Sequence, residues 1–135
     1  MAEAQMESAS VDPVEIVGAF GFAETMDRLI AAITAAGMTV FARIDHAAGA
    51  RSVGLAMPPT EVLIYGNPKG GTPIMLAAPR AALDLPLRVL VREQDGRVLV
   101  AFHPATAMLR AAGVPEALAA RLRPAQDVLI AAIRE

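Results

Sequence analysis

Hydrophobic positions along the chain fall into alternating helical and extended runs. Met26, Leu29, Ile30 and Ile33 stand at i, i+3, i+4 and i+7, which is one face of a helix over residues 23–36. Glu24 and Arg28 form an i,i+4 pair on its outer face, and Gly37 follows where a helix cap is needed. Before this helix, residues 14–17 alternate weakly and predict a first strand. After it, Val40, Phe41 and Ile44 predict a second over 38–44. Residues 47–51 are small and helix-tolerant, and residues 61–65 are a continuous run that suits a strand buried on both faces. Leu85, Leu87, Val89 and Val91 alternate with Arg88, Leu90 and Arg92, and Val98, Val100 and Phe102 alternate back across Asp95-Gly96. That pattern is a β-hairpin. The C-terminal third is helical, with Pro104, Pro115 and Pro124 at starts and Gly113 at a stop. Val128, Leu129, Ala132 and Ile133 give the last helix its apolar face. The predicted order is β-α-β-β-α-β-β-α.

Between the strand at 61–65 and the next helix stands Gly66-Asn67-Pro68-Lys69-Gly70-Gly71-Thr72-Pro73. Thr72 is a good N-cap with Pro73 at the first helical position, and Pro79 ends that helix or restarts it for one turn. A phosphate loop needs Lys directly after the second glycine of the pair. Thr72 occupies that place and Lys69 comes too early, so the loop is not a Walker motif. Free N–H groups at a helix start still suit an anion, which makes Gly66, Asn67, Lys69, Gly70, Gly71 and Thr72 candidate ligand-binding residues. Asp45 and His46 are the candidate catalytic pair, His46 as a general base. Neighbours on a strand point to opposite faces, so a structural role for His46 in a loop stands against that reading.

Composition narrows the functions further. The chain has 135 residues, 55% of them hydrophobic and 19% charged, with a net charge of −2 and no cysteine. Thiol catalysis, disulfides and thiolate metal sites are excluded. Two histidines, His46 and His103, cannot supply a four-ligand zinc site. A haem held by either histidine and Met75 lacks any specifying pattern, so no metal and no cofactor is expected. No basic cluster with interleaved aromatics points to nucleic acid, and no apolar run reaches the roughly 20 residues that span a membrane. Residues 1–12 carry Glu3 and Glu7 without a signal-peptide pattern. They read as a flexible tail before one domain over 13–135, and the expected location is cytoplasmic.

Several blocks in order resemble a known family. They are Glu24-Thr25 with Arg28-Leu29, Ile44-Asp45-His46 with Ala47 and Ala50, and Pro59-Thr60-Glu61-Val62-Leu63-Ile64. Then come Tyr65-Gly66-Asn67-Pro68-Lys69-Gly70-Gly71-Thr72-Pro73-Ile74-Met75 and Leu83-Asp84-Leu85-Pro86-Leu87. In these the chain resembles an uncharacterised bacterial and archaeal family, the domain of unknown function 302. Tyr65 stands where that family more often shows Phe. The resemblance implies a two-layer α+β fold like the TATA-binding-protein half-repeat, an antiparallel sheet with helices on one face. It also implies frequent homodimers, and it brings no activity. The DNA binding of the fold's namesake does not transfer, because fold does not carry function. The functional expectation is a small binding or sensor domain taking a small anionic molecule at the 66–72 turn, with Asp45 and His46 nearby. One alternative is an acid–base or hydrolytic enzyme using His46 with an oxyanion held at the turn. The other is a homodimeric interaction module without a ligand.

Overall fold

A computed structural model describes residues 12–135; most of the expected N-terminal tail lies outside the described residues. The elements are β1 Val14–Val17, α1 Phe22–Ala35, β2 Thr39–Asp45, α2 His46–Ser52 and β3 Thr60–Gly66. They continue with α3 Pro68–Ala77, a 3-10 turn Pro79–Asp84, β4 Leu87–Gln94 and β5 Arg97–Phe102. The C-terminal part is α4 Ala105–Ala111, α5 Glu116–Ala119, a 3-10 turn Ala120–Leu122 and α6 Arg123–Ala132. The strands form one sheet in the order β1-β5-β4-β3-β2, and every neighbouring pair is antiparallel.

The period-two pattern decides which face the helices cover. Leu63, Tyr65, Val89, Val91, Val100 and Phe102 are opposite one another across the sheet or on alternate positions of their strands, so they share one face. That face packs against Met26, Leu29 and Ile33 of α1 and against Leu129 and Ile133, on and just after α6, in one buried cluster. The fold is therefore two-layer α+β, with the helical layer on one face of an antiparallel sheet. A satellite cluster joins Ile74 of α3 to Ala81, Leu109, Val114 and Ala119.

Two local predictions hold to the residue. Asp95 and Gly96 have φ of 52° and 78°, the two positive values of a type I′ hairpin turn. Arg28 donates to Glu24 at 2.8 Å and also lies over the Phe20 ring, 3.6 Å from its centroid.

Other expectations are corrected. Strand β3 is not buried on both faces: its odd positions lie under the helices, whereas Val62 and Ile64 are half-buried on the helix-free face. Glu61 falls on the covered face at 8% exposure and is bonded to Arg43 Nε at 2.6 Å. Helix α3 does not begin at Thr72-Pro73. Asn67 is its N-cap and Pro68 its first residue, and Pro73 lies inside the helix. Asn-Pro and Thr-Pro are the same kind of start signal five positions apart. The earlier one prevails because Asn67 makes the capping hydrogen bonds.

Candidate functional site

The turn after β3 borders a cavity of about 230 Å³. Gly66, Asn67, Gly70 and Gly71 form one side of it. Met75 of α3, Leu85 and Pro86 before β4, and Leu122 and Ala125 from the C-terminal helices form the others. Met38 and Phe41 bring the start of β2 to its mouth. The slot is almost wholly apolar in lining. Beside it, the buried Tyr65 hydroxyl donates to the Ala125 carbonyl at 3.0 Å. That bond ties β3 to the beginning of α6, and burial pushes the Tyr65 phenol well above its ordinary range.

The amides that an anion would use are engaged within the turn. Lys69 N–H donates to Asn67 Oδ1 at 3.0 Å. Gly70 N–H and Gly71 N–H both donate to the Asn67 carbonyl, at 3.0 and 2.9 Å. The Asn67 amide donates in turn to the Gly37 carbonyl at 3.3 Å, fastening the end of α1 to the start of α3. Lys69 and Thr72 are exposed and do not line the slot. Of the six ligand-binding candidates, the cavity thus takes in Gly66, Asn67, Gly70 and Gly71.

Asp45 and His46 are elsewhere. Thr39 pairs with Gly66 at one end of β2 and Asp45 with Glu61 at the other, so about 20 Å of strand separates the two candidate sites. Asp45 is the N-cap of α2 and accepts from the Ala48 amide at 2.8 Å. His46 is the first residue of that helix and is exposed. The expected closeness of Asp45-His46 to the turn is corrected, and the two do not form one catalytic centre with it. His46 borders instead a wider groove on the helix-free face, together with His103, Arg88 and Glu15 over a floor of Val62, Ile64 and Leu90. Met75 and the two histidines line different cavities, so they do not bracket a common haem. Among the described residues no three His, Asp or Glu side chains cluster as metal ligands.

Sequence reading missed Phe41, Met38, Leu85 and Leu122 as slot residues. Phe41 read only as a strand residue; that it stays 49% exposed is seen in the structure alone. It also missed Gln126, which is buried, accepts from the Ala105 amide at 2.8 Å and donates to the His103 carbonyl at 2.8 Å. That side chain caps α4, a start for which Pro104 supplies no side-chain acceptor.

These features define a two-layer α+β domain with an apolar slot at one end of its sheet. The chain belongs to the family described as Domain of unknown function DUF302, whose model matches residues 15–135. The crystal structure of the uncharacterized conserved protein DUF302 from Bacillus stearothermophilus is similar in fold. Its TM-score is 0.77 at 18% identity, over 90% of this chain and 94% of that one. Among curated proteins, the chain is 50% identical over 74 residues to the fluoride-specific ion channel FluC 1 of Brucella suis biovar 1 (strain 1330). The FluC 1 of Brucella abortus biovar 1 (strain 9-941) matches at the same identity and length. These matches cover 55% of this chain but only 29% and 27% of the two channel proteins. No described helix of this chain is long and apolar enough to cross a membrane.

Proposed function

We propose that the protein is a small-molecule binding domain whose ligand lies in the slot beside the Gly66-to-Gly71 turn. One observation carries this reading. Gly70 and Gly71 are adjacent inside helix α3, where each costs about 0.5–1 kcal/mol relative to alanine. Neither has a positive φ. A Cβ at Gly70 would meet nothing within 4 Å, and one at Gly71 would make ordinary contacts of 3.9 Å to Met75 and 4.0 Å to Leu85. Backbone and packing give no reason for either glycine, but both border the slot, and a side chain at Gly71 would reach toward its walls at Met75 and Leu85. A sequence that breaks a local rule without a structural return does so at functional sites.

The ligand this slot fits has an apolar body. Its anionic group would stand at the mouth beside Asn67, with Lys69 in solvent as its counter-charge. The domain acts in the cytoplasm and pairs with a second copy, and the exposed Val53, Leu55 and Met57 side chains support that pairing. Binding is tested by thermal shift and NMR with octanoate, octanol, acetate and phosphate. Octanoate is expected to raise Tm and to shift slot resonances, with acetate and phosphate inert. Response to phosphate alone, or to none of the four, would overturn the reading.

The Brucella matches extend it in one direction. A stretch half identical to this chain makes up under a third of proteins named as fluoride-specific channels. We infer that such a stretch is an appended domain there, and that this domain serves an ion-conducting membrane protein as a sensor.

A further inference from the structure

We propose that the slot is built for a flat aromatic ligand, recognised by Phe41; this deepens the binding reading above and rests on it. The first observation is a β-bulge. Val40 pairs with Tyr65 and Ala42 with Ile64, consecutive residues of β3, so Phe41 is the extra residue of β2. Bulges turn a side chain out of the alternating pattern, and they recur beside binding sites. Here the displaced side chain is the aromatic one, and it lines the slot mouth while staying 49% exposed. The register shift takes Phe41 out of the alternation of β2, and its ring borders the cavity.

The second observation is the company the ring keeps. Gly66 leaves it room: a Cβ there would stand 3.8 Å from Phe41 Cε2 and 3.6 Å from Pro86 Cβ, so a longer side chain would crowd both. Met38 and Met75 are the other flexible walls. Thioethers are polarisable and favour ring edges, and a phenyl face favours an offset-stacked or edge-on ring. Two methionines, a proline and an exposed phenyl around a slot opened by glycines make a set of contacts that a flat π-system satisfies. A globular aliphatic body of equal carbon count gains only the burial.

The test compares 2-naphthoate with 1-adamantanecarboxylate, which share a carboxylate head and carbon count and differ in shape and π-character. Calorimetry gives the affinities, and NMR maps each to the slot. Wild-type protein is expected to prefer naphthoate by about tenfold. Phe41→Leu is expected to lose that preference with adamantanecarboxylate affinity unchanged, and Phe41→Tyr to retain it. Phe41 is half exposed, so both variants are expected to keep the wild-type circular dichroism. Equal affinity of the two acids in the wild type, or equal loss of both in Phe41→Leu, overturns the proposal while leaving slot binding in place. Absence of any slot perturbation by either acid overturns both together.

Discussion

Replacing Gly70 and Gly71 by alanine separates a glycine kept for the fold from one kept for the slot. Both positions lie within the first half of α3 and have helical backbone space for a Cβ. Each alanine removes unfolded-state entropy and adds helix propensity, about 0.5–1 kcal/mol. The two are adjacent, but their added methyls would have no neighbour in common, so the gains are expected to sum to roughly 1–2 kcal/mol. For a domain of this size that is a rise in Tm of roughly 3–8 °C. The Gly71 methyl would touch Met75 Cε and Leu85 Cδ1 at close to 4 Å, which adds burial and fills part of the slot. Differential scanning calorimetry and urea titration of the single and double variants measure the stability, and octanoate titration of the same samples measures the binding. The expected pairing is higher stability with weaker binding, Gly71→Ala having the larger effect on binding. A double variant less stable than wild type would refute the argument, because the glycines would then be serving the backbone. Greater stability with unaltered octanoate affinity would refute their connection to the slot.

Two more outcomes follow from buried polar groups. Tyr65 is the only tyrosine, and the chain has no tryptophan, so tyrosinate absorbance reports this one side chain. Its ordinary value is 10.0 and burial raises it in the folded state. Below pH 10 both states hold the proton and stability is full; above it only the unfolded state releases the proton, so stability falls by up to about 1.4 kcal/mol per pH unit. Tyrosinate is expected to appear together with loss of circular dichroism, and its appearance near pH 10 in a native spectrum would contradict the buried environment. Tyr65→Phe is expected to abolish that alkaline slope and to cost about 1 kcal/mol at neutral pH through the lost bond to Ala125. Arg43→Met leaves Glu61 without its partner on the covered face and is expected to cost about 1–3 kcal/mol. Chemical denaturation checks this, and a neutral result would mean that solvent reaches Glu61.

Local signals in the sequence were enough for much of the fold. The Asp95-Gly96 turn, the apolar face of α1 and the Gly113 stop each depend on a few adjacent residues, and each stands where the sequence places it. The start of α3 was harder, because Asn67-Pro68 and Thr72-Pro73 are equivalent signals and Gly70-Gly71 between them imitates a loop. The capping bonds of Asn67 decide it, and they exist only once the helix has formed. The 66–72 block was legible as special, but its chemistry was not. Glycines suggested exposed amides, whereas Asn67 takes those amides and the glycines leave room for an apolar body. Phe41 was legible as a strand residue but not as a bulge, since the extra residue is defined by pairing with β3 some twenty positions on. Leu122 and Ala125 reach the slot from the other end of the chain, and no local pattern announces that.

The strand order has a consequence for how the chain is made. Strand β1 pairs with β5 alone, and Leu129 and Ile133, on and just after α6, help to cover the apolar face of α1. Thus β1 waits for β5 before it finds a partner. Helix α1 packs on the sheet through Met26, Leu29 and Ile33 but waits for α6 to complete its cover, whereas β2 through β5 can zip by successive neighbours as they emerge. Within this domain the first strand synthesised is the last to be secured, and its closure spans most of the domain. Until then Val14 and Ile16 are unpaired, and the side of α1 that meets Leu129 and Ile133 is open. A stall or truncation before residues 97–102 leaves an unpaired edge and an open helix face, which is the form of this domain most exposed to chaperones and proteases.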